Sequence, residues 1–277
     1  MKKNIRLSQK FKFSNFFLFI KSFFKKYLFL IGLLVFLYVP ILLIVVFSFS
    51  DGKGVSVFGS FTFDNYVEMF SHKPFAQAVS TTLYVSIIST FLSVLVGGFG
   101  AAAIIKIKKY IRNPIILASN SQLVMPDLLI GLSLFLFFTI LNIQLGSFSL
   151  ILAHISFCSP YVLVVMYPQI KRIDINQIYA SYDLGAGRIK TFFLITLPQI
   201  SGALISATII SFIMSFDDFI ISFFTSGTQN NISTFLFSLK RPSFIVNSFS
   251  SILLLTFSTV IFISSYFKYK YEKKKKR

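Results

Sequence analysis

Leu28-Phe29-Leu30-Ile31-Gly32-Leu33-Leu34-Val35-Phe36-Leu37-Tyr38-Val39-Pro40-Ile41-Leu42-Leu43-Ile44-Val45-Val46-Phe47-Ser48-Phe49 is a run of 22 residues without one charged side chain. Wound as a helix it would reach about 33 Å, enough to cross a hydrocarbon layer about 30 Å thick. Five more apolar runs of comparable length follow, at 79–105, 115–140, 148–167, 200–225 and 248–267. The expected fold is therefore all-α and integral to a membrane, with six transmembrane helices. Composition agrees: of 277 residues 55% are hydrophobic, 37 are Phe, and only 13% are charged, against about 25% in a soluble domain. A soluble enzyme is excluded.

The few charges are lopsided, 27 Lys and Arg against 9 Asp and Glu, and their placement orients the chain. Eight basic residues precede the first run; the successive connections carry two, four, none, four and two, and seven follow the last run. Alternate segments thus collect 23 on one side and 4 on the other. Basic residues remain on the cytoplasmic side of membranes, so both termini, the 106–114 connection and the 168–198 loop are expected inside a cell (plasma) membrane. The split also requires an even number of spans. The chain is then organised as a basic cytoplasmic segment at 1–27, a membrane domain at 28–267 and a basic tail at 268–277. The first apolar run is too long for a secretory signal core and no small-residue cleavage site follows it, so it is expected to stay as a span. Between 11 and 27, Phe alternates with Lys12, Lys21, Lys25 and Lys26, a pattern that fits an interfacial helix on anionic membrane lipid or a solvated tail. In so apolar a chain the net +18 marks membrane flanks rather than nucleic acid.

Polar residues inside the apolar runs are the candidates for function. Pro126-Asp127 falls near the middle of the third run, where proline breaks the helix and Asp127 must meet a cavity or a neighbour. Asp127 is either a cation-handling group or a cap on the broken helix. Asp217 and Asp218 are adjacent in the fifth run; on a continuous helix they would point about 100° apart, so that both cannot face one narrow path. At least one on the path, or a purely structural pair, are the two readings. His154 fits an interhelical hydrogen bond or a proton relay. Three acids and no Lys or Arg in the spans favour a cationic cargo over an anionic one, and Phe216, Phe219 and Tyr161 beside them could add cation–π contact. Gly97 with Ala101 and Gly98 with Ala102 present small-residue spacings suited to close helix packing. The lone Cys158 excludes a disulfide framework and a cysteine-built metal site within one chain. No catalytic residues, metal or cofactor are expected in the chain. It has no glycine-rich phosphate loop, and it is not expected to hydrolyse ATP.

In the longest inner loop, Ile178-Tyr179-Ala180-Ser181-Tyr182-Asp183-Leu184-Gly185-Ala186-Gly187 reads as a short helix with a small-residue face, stopped by glycines, and Ile195-Thr196-Leu197-Pro198 as the start of the next element. This spacing resembles the EAA loop of binding-protein-dependent ABC importer permeases: E-A-A, three residues, G, nine residues, I-x-L-P. Ala180, Gly185, Ile195, Leu197 and Pro198 match in register, whereas Tyr179 stands in place of the usual Glu and Ser181 in place of Ala. Tyr38-Val39-Pro40-Ile41, Met125-Pro126-Asp127, His154-Ile155-Ser156-Phe157-Cys158, Asp183-Leu184-Gly185-Ala186 and Ser215-Phe216-Asp217-Asp218 extend the likeness toward spermidine/putrescine permease subunits of the PotC type.

The resemblance implies a permease of the type I ABC importer fold in a bacterial membrane. It would sit beside a second homologous permease, above two ATPase subunits that bind ATP and Mg, and below an extracytoplasmic polyamine-binding protein. Tyr179, Ala180, Ser181, Asp183, Leu184, Gly185 and Ala186 would couple to the ATPase, with Asp183 standing in electrostatically for the missing Glu. Asp127, Asp217, Asp218, Phe216 and Tyr161 would line the substrate pathway. An ABC importer of another solute and a secondary cation transporter are the rival readings, and a docking helix in the 168–198 loop separates the latter from the former.

Overall fold

The computed structural model describes residues 26–52, 58–239 and 244–275. The basic segment before Lys26, where most of the interfacial-helix reading falls, lies outside them. Twelve helical elements run in order among the described residues: α1 (Lys26–Phe47), α2 (Asp64–Ser71), α3 (Lys73–Lys106), α4 (Lys109–Gln122), α5 (Asp127–Ile140), α6 (Ser147–Lys171), α7 (Ile175–Asp183), α8 (Arg188–Thr191), α9 (Leu197–Asp217), α10 (Ile220–Thr225), α11 (Ile232–Ser238) and α12 (Phe244–Lys275). A π-helical turn, Phe192–Thr196, fuses α8 to α9. Five helices are long and apolar enough to span a membrane: α1, α3, α6, the α8–α9 helix and α12. A sixth span exists only as the bent pair α4 and α5, whose axes differ by 111°.

Two expected spans are therefore interrupted. The 115–140 run breaks before Pro126, because proline has no N–H to give and the residue ahead of it is pushed to extended backbone. The 200–225 run is a helix only to Asp217; Asp218 is extended (φ −66°, ψ 131°), and α10 restarts at Ile220. Asp217 and Asp218 do not share a helix, so the 100° separation does not apply to them. Nor does Pro198 begin the following element, since the helix already starts at Arg188. In a regular α-helix the Pro198 ring would collide with the carbonyl of Leu194. The π turn, in which the Leu197 N–H reaches back to the Phe192 carbonyl, widens the helix at that point.

The described chain forms two compact units, one of residues 1–71 with 241–277 and one of residues 72–240. In the first, the segment after α1 folds back through a Ser50–Phe61 bridge. Asn65 of α2 holds it with side-chain bonds to the Ser48 and Ser50 carbonyls (3.0 and 2.8 Å), and Tyr66 bonds Ser48 (2.7 Å) and Ser251 of α12 (3.3 Å).

In the second unit α3, α6 and α9 pack together over two apolar clusters, one around Ala101, Val162, Met166, Ile200 and Ala207, the other around Phe138, Ala153, Phe157, Cys158 and Ile221. The α3 face against α6 is a seam of small residues, with Ser86, Ser89, Ser93, Gly97 and Ala101 all buried. In lipid such a seam replaces the hydrophobic effect with close van der Waals contact and interhelical hydrogen bonds. Ser89 donates to the Ile151 carbonyl and Ser93 to the Ile155 carbonyl, both at 3.4 Å, and Gly97 lies against Ser159. Each step of four along α3 matches a step of four in the same sense along α6, so these helices run parallel. Toward α9 the order reverses: His154 meets Ser215 and Cys158 meets Ser211, so α6 and α9 are antiparallel. Two parallel spans must be joined by a chain that recrosses the membrane. The bent α4–α5 pair is that return crossing, which brings the count to six.

The Gly97 and Gly98 spacings do different work. A Cβ at Gly97 would fall 2.5 Å from the Ser159 carbonyl oxygen and 2.7 Å from Val162 Cβ, whereas one at Gly98 meets nothing within 4 Å. Gly97→Ala is expected to destabilise the protein by about 1–3 kcal/mol through overpacking, and Gly98→Ala to be neutral or stabilising. Unfolding temperatures of the two detergent-purified variants check this; equal shifts would refute the assigned seam.

Candidate functional site

Both broken spans pack on α6. Its 25 residues place Ser159 at the midpoint, about 18 Å from either end. Gln122, the last residue of α4, donates to the Phe157 carbonyl (3.0 Å), which ties the first break to α6. α5 then packs on α10, with Gly131 one turn past Asp127 so close to Ile220 that a Cβ there would lie 3.3 Å from its carbonyl oxygen.

The second break is sealed by a buried polar network. Asp218 is 9% exposed, and its carboxylate accepts the backbone N–H groups of Ile221 (3.2 Å) and Ser222 (2.7 Å) as well as the Ser222 hydroxyl (2.8 Å). This carboxylate satisfies the otherwise orphaned N–H groups at the start of α10. His154 bridges α9 and α10, with Nδ1 2.7 Å from Ser215 Oγ and Nε2 3.0 Å from Ser222 Oγ, and Nε2 lies 3.6 Å from Asp218. Asn231 donates from Nδ2 to both the Asp218 carbonyl (3.0 Å) and Ser222 Oγ (2.7 Å). Ser222 has one hydroxyl proton, which goes to Asp218, so both nitrogens facing its oxygen must donate; His154 therefore carries a proton on Nε2.

Among the sequence-predicted pathway residues, Asp218 pairs with His154 (3.6 Å) and Tyr161 packs edge-on against Phe157 (5.6 Å between centroids). Phe216 is half-buried and stacks on Phe212 (5.8 Å, 26° between planes). Of the three acids within the apolar runs only Asp218 is buried; Asp127 and Asp217 are exposed ends of α5 and α9. Neither has a hydrogen bond or ion pair among the described residues. The arrangement offers two unpartnered carboxylates and aromatic rings beside breaks at mid-span, a setting that attracts a cation and repels an anion. Reading the sequence missed Ser215, Ser222 and Asn231. Ser222, four residues after Asp218, carries a cap-like signal; Asn231, thirteen residues on, carries none.

At the other candidate site, α7 is capped by Asp174, whose side chain accepts the Asn176 N–H (3.0 Å). It ends in the two bonds of a Schellman motif, Ala186 N–H to the Ser181 carbonyl (3.0 Å) and Gly185 N–H to the Tyr182 carbonyl (2.9 Å). That turn requires positive φ, and Gly185 supplies it at +79°. Ser181 is buried; its hydroxyl lies 2.6 Å from Thr191 Oγ1, which in turn donates to the Gly187 carbonyl (3.1 Å). Ser181 therefore clamps α7 to α8, while Tyr179, Ala180, Asp183, Leu184 and Gly185 face outward and Ala186 is half-buried. Leu184 is 88% and Ile189 76% exposed, leaving an apolar ridge with no cover from the described chain.

Residues 93–277 match the family described as binding-protein-dependent transport system inner membrane component. The PotC homolog of the spermidine/putrescine transport system of Mycoplasma genitalium is 32% identical over 259 residues, covering 88% of this chain and 90% of that one. The putrescine transport system permease protein PotI of Escherichia coli is 31% identical over 87% of this chain and 90% of its own. PotC of Haemophilus influenzae is 29% identical over 87% and 95%. Among solved structures, a bacterial ABC transporter that imports the acidic polysaccharide alginate superposes with a TM-score of 0.63 at 16% identity, over 90% of this chain and 96% of that one. An amino acid ABC transporter superposes at 0.51 and 18% identity, over 74% and 97%.

Gly185→Val would force a β-branched side chain into left-handed backbone, at a cost of about 1–2 kcal/mol. The Schellman turn should loosen, and limited trypsin digestion should cut at Arg188 and Lys190 faster than in the unaltered protein. An unchanged cleavage rate would contradict the turn.

Proposed function

The chain belongs to the binding-protein-dependent transport system inner membrane components, and from that premise we infer that it is the membrane permease subunit of an ATP-driven importer of the polyamines spermidine and putrescine. Relatives named for these cargoes match it over most of both chains. Fold alone does not carry this reading, since the alginate importer shares the architecture and moves a polyanion. What carries the cargo class is the sign of the charge at the helix breaks: Asp127 and Asp217 are exposed there, Asp218 is buried beside them, and no Lys or Arg lies within the breaks. Polyamines are cationic at neutral pH and carry methylene stretches that aromatic side chains such as Phe216 and Tyr161 can cover.

The chain contributes pathway and coupling surface; binding and hydrolysis of Mg-ATP belong to two partner ATPase subunits. A second homologous permease completes the pathway, and a polyamine-binding protein delivers cargo from outside. Both termini and the α7 loop face the cytoplasm, as the 23-to-4 division of basic residues supports. The outward ridge of Tyr179, Asp183, Leu184 and Ile189 seats in the ATPase. Closure of the ATPases on ATP swings α7, and the Ser181–Thr191 clamp passes that movement into the α8–α9 helix, whose far end is Asp217. The pathway then opens outward as a rigid-body change. A self-sufficient cation carrier would have no use for such a ridge.

Asp217→Asn and Asp218→Asn are each expected to lower polyamine uptake while the protein still inserts; normal uptake in both would overturn the cation pathway. Gly185→Arg is expected to prevent the ATPase from co-purifying, because a long charged side chain would obstruct the docking face. A complex that survives, with its ATPase stimulated normally by loaded binding protein, would displace the coupling helix from this loop.

A further inference from the structure

The two adjacent acids at the second break are in opposite circumstances. Asp218 has its carboxylate committed to three donors and to the edge of His154, and its own carbonyl is taken by Asn231. Each of these partners is itself buried: Ile221, Ser222 and His154 at 0–1% exposure, Asn231 at 2%. A cargo ammonium could reach this carboxylate only by displacing donors that have no water to turn to, and every orphaned backbone N–H in hydrocarbon costs several kcal/mol. Asp217, one peptide earlier, is exposed and has no hydrogen bond or ion pair among the described residues. The extended backbone at Asp218 is what separates them, since it ends α9 at Asp217 and turns the Asp218 carboxylate to the start of α10.

We propose that Asp217 is the carboxylate that meets the cationic cargo, and that Asp218 with His154 is a latch that holds the break between α9 and α10 in the geometry presenting it. Asp218 is thus a positioning residue. The latch joins three parts of the second unit, since His154 comes from α6, Ser222 from α10 and Asn231 from the turn before α11. It fixes the last turn of α9 against His154 of α6, five residues before the Ser159 midpoint. The assignment of cargo to Asp217 rests on the polyamine reading above; the latch does not.

The test uses the complete purified importer carrying Asp217→Asn, Asp217→Glu, Asp218→Asn, His154→Gln or the Asp218→Asn/His154→Gln pair. Equilibrium binding of radiolabelled spermidine, uptake into proteoliposomes and unfolding temperature are read on each. Asp217→Asn should weaken spermidine binding about tenfold, the effect of one partly exposed ion pair, with the unfolding temperature kept, and Asp217→Glu should restore most of the affinity. Asp218→Asn and His154→Gln should lower unfolding temperature and maximal uptake while the folded fraction binds spermidine as before. Their combination should be no worse than the poorer single variant, because residues of one network are not additive. Weakened binding in Asp218→Asn at an unchanged unfolding temperature, or wild-type affinity in Asp217→Asn, would overturn the division of roles. If the unaltered importer neither binds nor moves spermidine, the polyamine reading falls; the latch is then judged on unfolding temperature, and an equal loss in Asp217→Asn and Asp218→Asn refutes it.

Discussion

Hydrocarbon offers a backbone N–H or C=O nothing to bond to, and the whole second unit is arranged around that constraint. Straight spans satisfy it by themselves. Broken ones do not, and two of the apolar spans among the described residues are broken where they pack on α6. At the α9–α10 break the otherwise orphaned N–H groups of Ile221 and Ser222 are taken by the Asp218 carboxylate, which also accepts the Ser222 hydroxyl and lies 3.6 Å from His154, while Asn231 takes the Asp218 carbonyl. At the α4–α5 break Gln122 reaches to α6 instead. The α9–α10 break is thus sealed by side chains, whereas α5 starts at Asp127 without a side-chain cap.

What holds the sealed breaks in place is the scaffold of α3, α6 and α9. The seam of Ser86, Ser89, Ser93, Gly97 and Ala101 draws α3 onto α6 closely enough that serine hydroxyls reach carbonyls of the opposite helix. Because the seam also sets the two helices parallel, it dictates that the intervening α4–α5 segment recrosses the membrane despite its 111° bend. The break nearest Asp127 is therefore a consequence of topology as well as of Pro126: a return path made of two short helices reaches back to the start of α6 while placing its corner beside the middle of it.

The α7–α8 segment follows the same economy of small residues. Gly185 closes α7 in left-handed backbone, and Ser181 is small enough to sit under the turn and bond Thr191. The expected coupling set therefore divides, with Ser181 facing the protein and Tyr179, Leu184 and their neighbours facing out. Ser in place of the family's usual Ala gains a hydrogen bond to Thr191, which ties α7 to the α8–α9 helix. Nothing in the structure puts a charge where Tyr179 replaces the family's usual Glu, although Asp183 is exposed on the same short helix.

The existence of the spans, their number and the division of basic residues were legible in the sequence, because the length of an apolar run and the sidedness of charge are properties of the chain taken locally. The Gly185 turn and the Pro126 break were legible for the same reason, being local backbone preferences. The fate of Asp217 and Asp218 was not. Their spacing on an assumed helix set them about 100° apart without saying which one faces a path, and only the packing of α6 against α9 and α10 brought His154, Ser215, Ser222 and Asn231 around Asp218 and left the Asp217 side chain without a partner among the described residues. The same holds for Gly97 and Gly98, alike in sequence and opposite in surroundings. Sequence determines which segments leave water and where the backbone cannot stay helical. Which polar groups are then consumed in sealing the breaks, and which remain for a cargo, is decided by contacts between residues dozens of positions apart, and those exist only once the helices have packed.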